Sequence, residues 1–165
     1  MKKYALLIGN GLNCALNNQA WGDMLEEIRI KFGVAASSVY TNMPLEFERI
    51  YLDVLKNGCV TKAYTVKESI FGKYSESAQL KITDLSLHKE FASLPVDAIM
   101  ISNYDYYIEQ LINPQFKRKG TSSHTKERKH SLFRHFNING KKFWHIHGEA
   151  YCPDSICLGY DHYCT

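Results

Sequence analysis

The spacing of apolar residues changes character several times along the chain, and each change marks an element. Tyr4 to Ile8 is a short apolar run without helical period, closed by Gly9, the pattern of a buried strand in a parallel sheet. Gly9-Asn10-Gly11 predicts a tight turn after it. From Trp21 to Phe32 the apolar Met24, Leu25, Ile28 and Phe32 recur at helical spacing. Asp23, Glu26 and Glu27 lie in the early turns, where the helix dipole favours negative charge. Pro44 suits the start of a second helix, Leu45 to Lys56, whose Phe47, Ile50, Tyr51 and Val54 share a face and which stops at Asn57-Gly58.

Thr61 to Lys73 and Gln79 to Leu94 carry periodic apolar positions compatible with two more helices, the second ended by Pro95. Val96 to Ile101 then reads as a strand entering Ser102-Asn103-Tyr104-Asp105, and a helix follows to Ile112, stopped by Asn113-Pro114. Polar and basic composition predicts a mobile surface loop over about residues 115–130. Leu132 to Ile138, Asn139-Gly140 and Lys141 to His147 read as a hairpin, because Asn-Gly is the strongest short hairpin signal. Strand, helices, strand, helix, strand is the order of an α/β fold with a mainly parallel sheet flanked by helices, in which ligands bind beyond the carboxyl ends of the strands.

Size and charge narrow the picture. The 165 residues suit one domain over 1–165, since domains cluster at about 100–150 residues. With 45% hydrophobic and 22% charged residues the chain reads as soluble and globular. No segment approaches the roughly 18 continuous apolar residues of a membrane span. A strand pattern begins directly behind Met1-Lys2-Lys3 without a signal-type cleavage site, and five scattered cysteines are an odd number, so a reduced cytoplasmic setting is expected. The net charge of +3 is concentrated: Pro114 to Lys142 holds nine Lys/Arg against one acid, Glu127, leaving 11 basic and 16 acidic groups elsewhere.

Three motifs carry candidate chemistry. Gly9 and Gly11 let a backbone approach a pyrophosphate without a Cβ in the way, although Cys14 stands where a third glycine of the dinucleotide fingerprint would fall, so an ordinary strand-ending turn is an equal reading. Where the extended geometry persists to the strand end, alternation puts Asn103 and Asp105 on one side and Ser102 and Tyr104 on the other. An amide beside a carboxylate suits ribose hydroxyls and a carboxamide; the competing reading is that Asp105 caps or favours the start of the next helix while Asn103 bonds the turn. The same alternation puts His145 and His147 together. His147, followed by Gly148, is the better general-base candidate, and His145 the packed or hydrogen-bonded one. No third and fourth ligand with metal spacing accompanies them, and Cys152, Cys157 and Cys164 do not form paired clips, so no zinc is expected.

Taken together, Leu7-Ile8-Gly9-Asn10-Gly11-Leu12-Asn13, Trp21-Gly22-Asp23-Met24-Leu25, Pro44-Leu45-Glu46-Phe47-Glu48, Ile99 to Glu109 with its Ser-Asn-Tyr-Asp, His145-Ile146-His147-Gly148-Glu149 and Pro153 to Tyr163 resemble the sirtuin-like domains of bacterial antiphage defence proteins. The resemblance spans nearly the whole chain. It implies a Rossmann-like fold and hydrolysis of NAD at the nicotinamide–ribose bond, with NAD as substrate. By that resemblance Gly9, Gly11 and Asn13 hold the phosphates, Ser102 lies in the same cofactor-binding stretch, Asn103 serves ribose and attacking water, Asp105 takes the nicotinamide amide, and His147 is the base. Sirtuin deacetylases carry a four-cysteine zinc module after the His-Gly motif, and the cysteine spacing here departs from it, which argues against deacetylation.

The resemblance further implies that more strands follow the segment ending at Thr165, so the chain is expected to be an amino-terminal portion of a larger unit, with a homo-oligomer or a carboxyl-terminal regulatory domain as partner. Three other readings stand beside it: an NAD or ADP-ribose sensor or inactive fragment, a relative of abortive-infection family H proteins, and a nucleic-acid-binding module resting only on the basic loop.

Overall fold

A computed structural model of the chain describes residues 3–15, 20–37, 42–58, 65–70, 85–117 and 135–159. In order they form β1 (Ala5–Ile8), α1 (Gly11–Cys14), α2 (Trp21–Lys31), α3 (Met43–Asn57), helical residues 65–70 (α4), α5 (Ser86–Ser93), β2 (Ala98–Ile101), α6 (Tyr107–Ile112), β3 (Phe136–Ile138) and β4 (Lys141–His145). The strands make one four-stranded sheet in the order β1-β2-β4-β3, with β1, β2 and β4 parallel and β3 antiparallel to β4. Leu6, Ile99 and Phe143 lie in one row across the sheet, and Ile8, Ile101 and His145 in another.

The periodic helices formed where their apolar faces required. Met24, Leu25 and Ile28 of α2 and Phe47, Ile50 and Val54 of α3 are buried together, with Val66 and Ile70 of α4. Asn42 caps α3 by accepting from the Leu45 N–H at 3.1 Å, and Pro44 sits in its first turn, where no N–H is needed. Gly33, at φ 67, ends α2 with the paired bonds Gly33 N to Ile30 O and Val34 N to Arg29 O, the left-handed cap that favours glycine. At the end of α3, by contrast, Gly58 is extended.

Two main cores and a small cluster of Leu85 and Tyr107 lie among the described residues. Ile99, Ile101 and Phe143 pack with Ile8, Ile138, Ala92 of α5 and Ile108 of α6, covering one face of the sheet. The second core joins α2, α3 and α4 to Tyr104, Tyr106, Ala150, Ile156 and Leu158, and no strand residue belongs to it. Those helices therefore pack on the segments that leave the strands. The opposite sheet face, with Leu7, Met100 and Trp144 in register, is only partly covered among the described residues, and Leu7 is 62% exposed.

This corrects the reading of β1 as a buried strand. It pairs with β2 on one side, has no second strand partner among the described residues, and buries only Ile8. The hairpin turn follows expectation, with Asn139 at φ 49 and Gly140 at φ 83, the positive angles that match strand twist. Its strands are shorter than the sequence suggested, and residues 131–134 lie outside the described residues, as do most of the basic loop and parts of the expected helices at 61–73 and 79–94. Among the described residues no helix is long and apolar enough to cross a membrane.

Candidate functional site

Parallel pairing of β1, β2 and β4 brings the three motifs to adjacent strand ends. The Ser102 N–H donates to Ile8 O at 2.9 Å and the Ile146 N–H to Ile101 O at 2.9 Å, so each connection leaves the sheet beside its neighbour. Beyond those bonds the backbone is no longer strand, and simple alternation does not govern the side chains. The strand alternation from which Asn103 was expected beside Asp105, and His145 beside His147, therefore does not extend through those pairs.

After β1 the expected turn forms, closed by the Leu12 N–H on Gly9 O at 3.3 Å, and leads straight into α1, with neither Gly9 nor Gly11 at positive φ. Their contribution is missing bulk: a Cβ on Gly9 would approach only Ser102 Oγ at 3.9 Å, and one on Gly11 would meet nothing within 4 Å. A cavity of about 350 Å³ opens over both, lined by Leu7, Ile8, Leu12, Leu87 and Phe91 besides the glycines. Asn103, Asp105 and His147 are not part of that lining.

Asn13 and Asp105 are spent largely on each other. Asn13 is fully buried and its Nδ2 donates to Asp105 Oδ2 at 2.6 Å, while the Tyr107 N–H donates to Asp105 Oδ1 at 3.1 Å. Asp105 thus favours the start of α6 by accepting from its first N–H, although Tyr106 and not Asp105 holds the cap position. Burial pushes its carboxyl pKa up, against the opposing bonds from Asn13 and Tyr107. The Asn13 Oδ1 faces His88 Nε2 at 3.0 Å.

Asn103 is different. Its Nδ2 lies 3.5 Å from Gly9 O, linking the first two motifs, while its Oδ1 is buried and has no hydrogen-bond partner among the described residues. A buried carboxamide oxygen without a donor costs free energy that a bound ligand or water would recover.

The two histidines separate cleanly. His145 Nδ1 faces the Asn103 backbone O at 2.9 Å and its Nε2 faces Glu109 Oε1 at 2.8 Å. With Glu109 as a carboxylate both partners accept and both ring nitrogens donate, the arrangement of an imidazolium. Burial acts most strongly on this group and would lower its pKa, but the Glu109 charge and bond, the Glu149 charge and the Asn103 carbonyl together outweigh it and raise the value. His145 is therefore structural, tying the end of β4 to α6 and the β2–α6 connection.

His147 is half-buried and lies against the Trp21 ring, at 6.0 Å between centroids, and Trp21 also stacks on Tyr104 at 6.0 Å. Burial lowers its pKa, so it is neutral at neutral pH and able to accept a proton. Gly148, at φ 91, is clasped by the following loop: a Cβ there would run into the Ser155 carbonyl and come within 2.7 Å of Ile156 Cα. The bonds Cys157 N to His147 O at 2.8 Å and Glu149 N to Ser155 Oγ at 3.1 Å complete the clasp.

Sequence reasoning missed His88 and Glu109. Leu85, His88 and Ala92 are buried at helical spacing on one side of α5, so the pattern did mark His88 as facing inward. Among the described residues no group of three or more His, Cys, Asp or Glu is arranged to hold a metal. No protein-family model matches this sequence, and comparison with curated proteins gives no match.

Proposed function

We propose that the chain is a Rossmann-like NAD-hydrolysing domain that cleaves the nicotinamide–ribose bond, releasing nicotinamide and ADP-ribose, and that in its whole form it depletes NAD in antiphage defence. The observation that carries the reading is the convergence at adjacent parallel strand ends of an open glycine segment, the buried Asn103 Oδ1 that has no partner among the described residues, and His147, whose pKa burial lowers. Gly9 and Gly11 leave backbone room for the pyrophosphate. The packed Asn13 side chain confines any phosphate contact of that residue to its backbone.

The reaction asks little covalent chemistry of the protein. As the C1′–N bond breaks, its electron pair goes to the cationic nicotinamide, which leaves neutral, and positive charge develops on the ribose. Asn103 orients ribose and water, Asp105 favours the carboxamide and the developing cation, and His147 takes the proton of the attacking water. A second reading, a binding module without turnover, is favoured by the engagement of both Asp105 oxygens inside the protein.

Nicotinamide and ADP-ribose are followed by chromatography after incubation with NAD, for the protein and its Asn103→Ala and His147→Ala variants. Loss of at least about 100-fold in both, with the fold intact by circular dichroism, is expected. Unchanged turnover in both variants removes the assignment, and saturable NAD binding without products supports the second reading.

A further inference from the structure

A one-way chain of buried hydrogen bonds ends on Asp105. Because a carboxylate oxygen only accepts, Asn13 must face Asp105 Oδ2 with Nδ2, at 2.6 Å. The Asn13 Oδ1 is then turned to His88, whose Nε2 at 3.0 Å must be the donor. The Tyr107 N–H holds the other Asp105 oxygen at 3.1 Å. His88, Asn13 and Asp105 are 1%, 0% and 5% exposed, and they come from α5, α1 and the β2–α6 connection, far apart in sequence.

We propose that His88 is a positioning residue for Asp105, acting through Asn13: its Nε2–H sets which way the Asn13 amide faces and so keeps an N–H on the carboxylate. Without that donor Asp105 alone holds the amide, which loses its second anchor and with it the fixed position of its N–H on the carboxylate. An apolar residue would fill the same space without the cost His88 carries, since its Nδ1 is buried with no hydrogen-bond partner among the described residues. The edge of the Tyr107 ring contact, 5.8 Å between centroids at 84°, holds the imidazole plane. Burial pushes the His88 pKa down to about 4, consistent with one protonated nitrogen at neutral pH.

The inference rests on the reading of Asp105 as a substrate contact, and two measurements keep the two separable. The first is steady-state NAD hydrolysis by His88→Leu and His88→Gln, the latter able to donate from nearly the same place. Leu is expected to lower kcat by about 10- to 100-fold with KM unchanged, and Gln to restore turnover. A folded Leu variant with full kcat, or a Gln variant as slow as Leu, overturns the proposal. The second is nitrogen-15 NMR of the side chains, which needs no activity. A protonated Nε2 on His88 is expected, with a hydrogen-bonded Asn13 amide signal that is lost in the Leu variant and kept in the Gln variant. His88 protonated on Nδ1, or an Asn13 signal indifferent to the Leu substitution, overturns the proposal even if the wild-type protein fails to hydrolyse NAD.

Discussion

Replacing Glu109 by Gln tests the inner support of the site. Glu109 is fully buried, and its Oε1 accepts from His145 Nε2 at 2.8 Å. Removing one partner of a buried ion pair costs about 3–5 kcal/mol, because the remaining charge is stranded away from water. Gln keeps a neutral acceptor of similar shape, and losing a neighbouring negative charge also eases Asp105, whose pKa Glu109 helps to raise. Both effects offset part of the loss, so the expected destabilisation is about 2 kcal/mol for Glu109→Gln and about 4 kcal/mol for Glu109→Leu.

The pH dependence supplies the signature. The folded pKa of His145 is raised above its ordinary 6.5, so its contribution is fully present below the unfolded value and is lost as pH rises through the folded one. The gap between wild type and either Glu109 variant should therefore be largest near pH 6 and shrink toward pH 9. Urea denaturation at the two pH values measures it. A gap under about 1 kcal/mol at pH 6, or one that does not change with pH, refutes the imidazolium–carboxylate account.

Other consequences are direct. His147 has its pKa lowered from 6.5 by burial, so it sheds its proton earlier than an exposed imidazole. The acid limb of the turnover–pH profile should lie below pH 6.5, and a limb above that value would exclude His147 as the base. Gly148→Ala combines a left-handed backbone with a clash against the Ser155 carbonyl and should cost at least about 3 kcal/mol in urea denaturation; a neutral substitution would show that the clasp yields. Asn42→Ala removes the α3 cap and should cost about 1 kcal/mol without altering NAD turnover; an unchanged unfolding midpoint would count against the cap.

Local pattern marked most of the described strands and helices, the short α1 excepted, because periodicity states which side of an element needs cover and Gly, Pro and Asn-Gly state where the backbone must stop or turn. It thereby carried the three motifs to strand ends, as their order implied: Gly9 after β1, Ser102 to Asp105 after β2 and His147 after β4. Tertiary structure alone decided what each side chain does there. Alternation stopped at Ile101 and His145, where the strands end, so the pairing of Asn103 with Asp105 and of His145 with His147 was not legible from spacing. Asn13 bonds a residue 92 positions away, and His88 one 75 positions away. A residue's local pattern records that it faces inward, but the partner it meets there depends on how distant elements stack. For the same reason the apolar run of β1 could announce a strand but not its place at a half-covered edge of the described sheet, since burial is set by what packs on the strand and not by the strand itself.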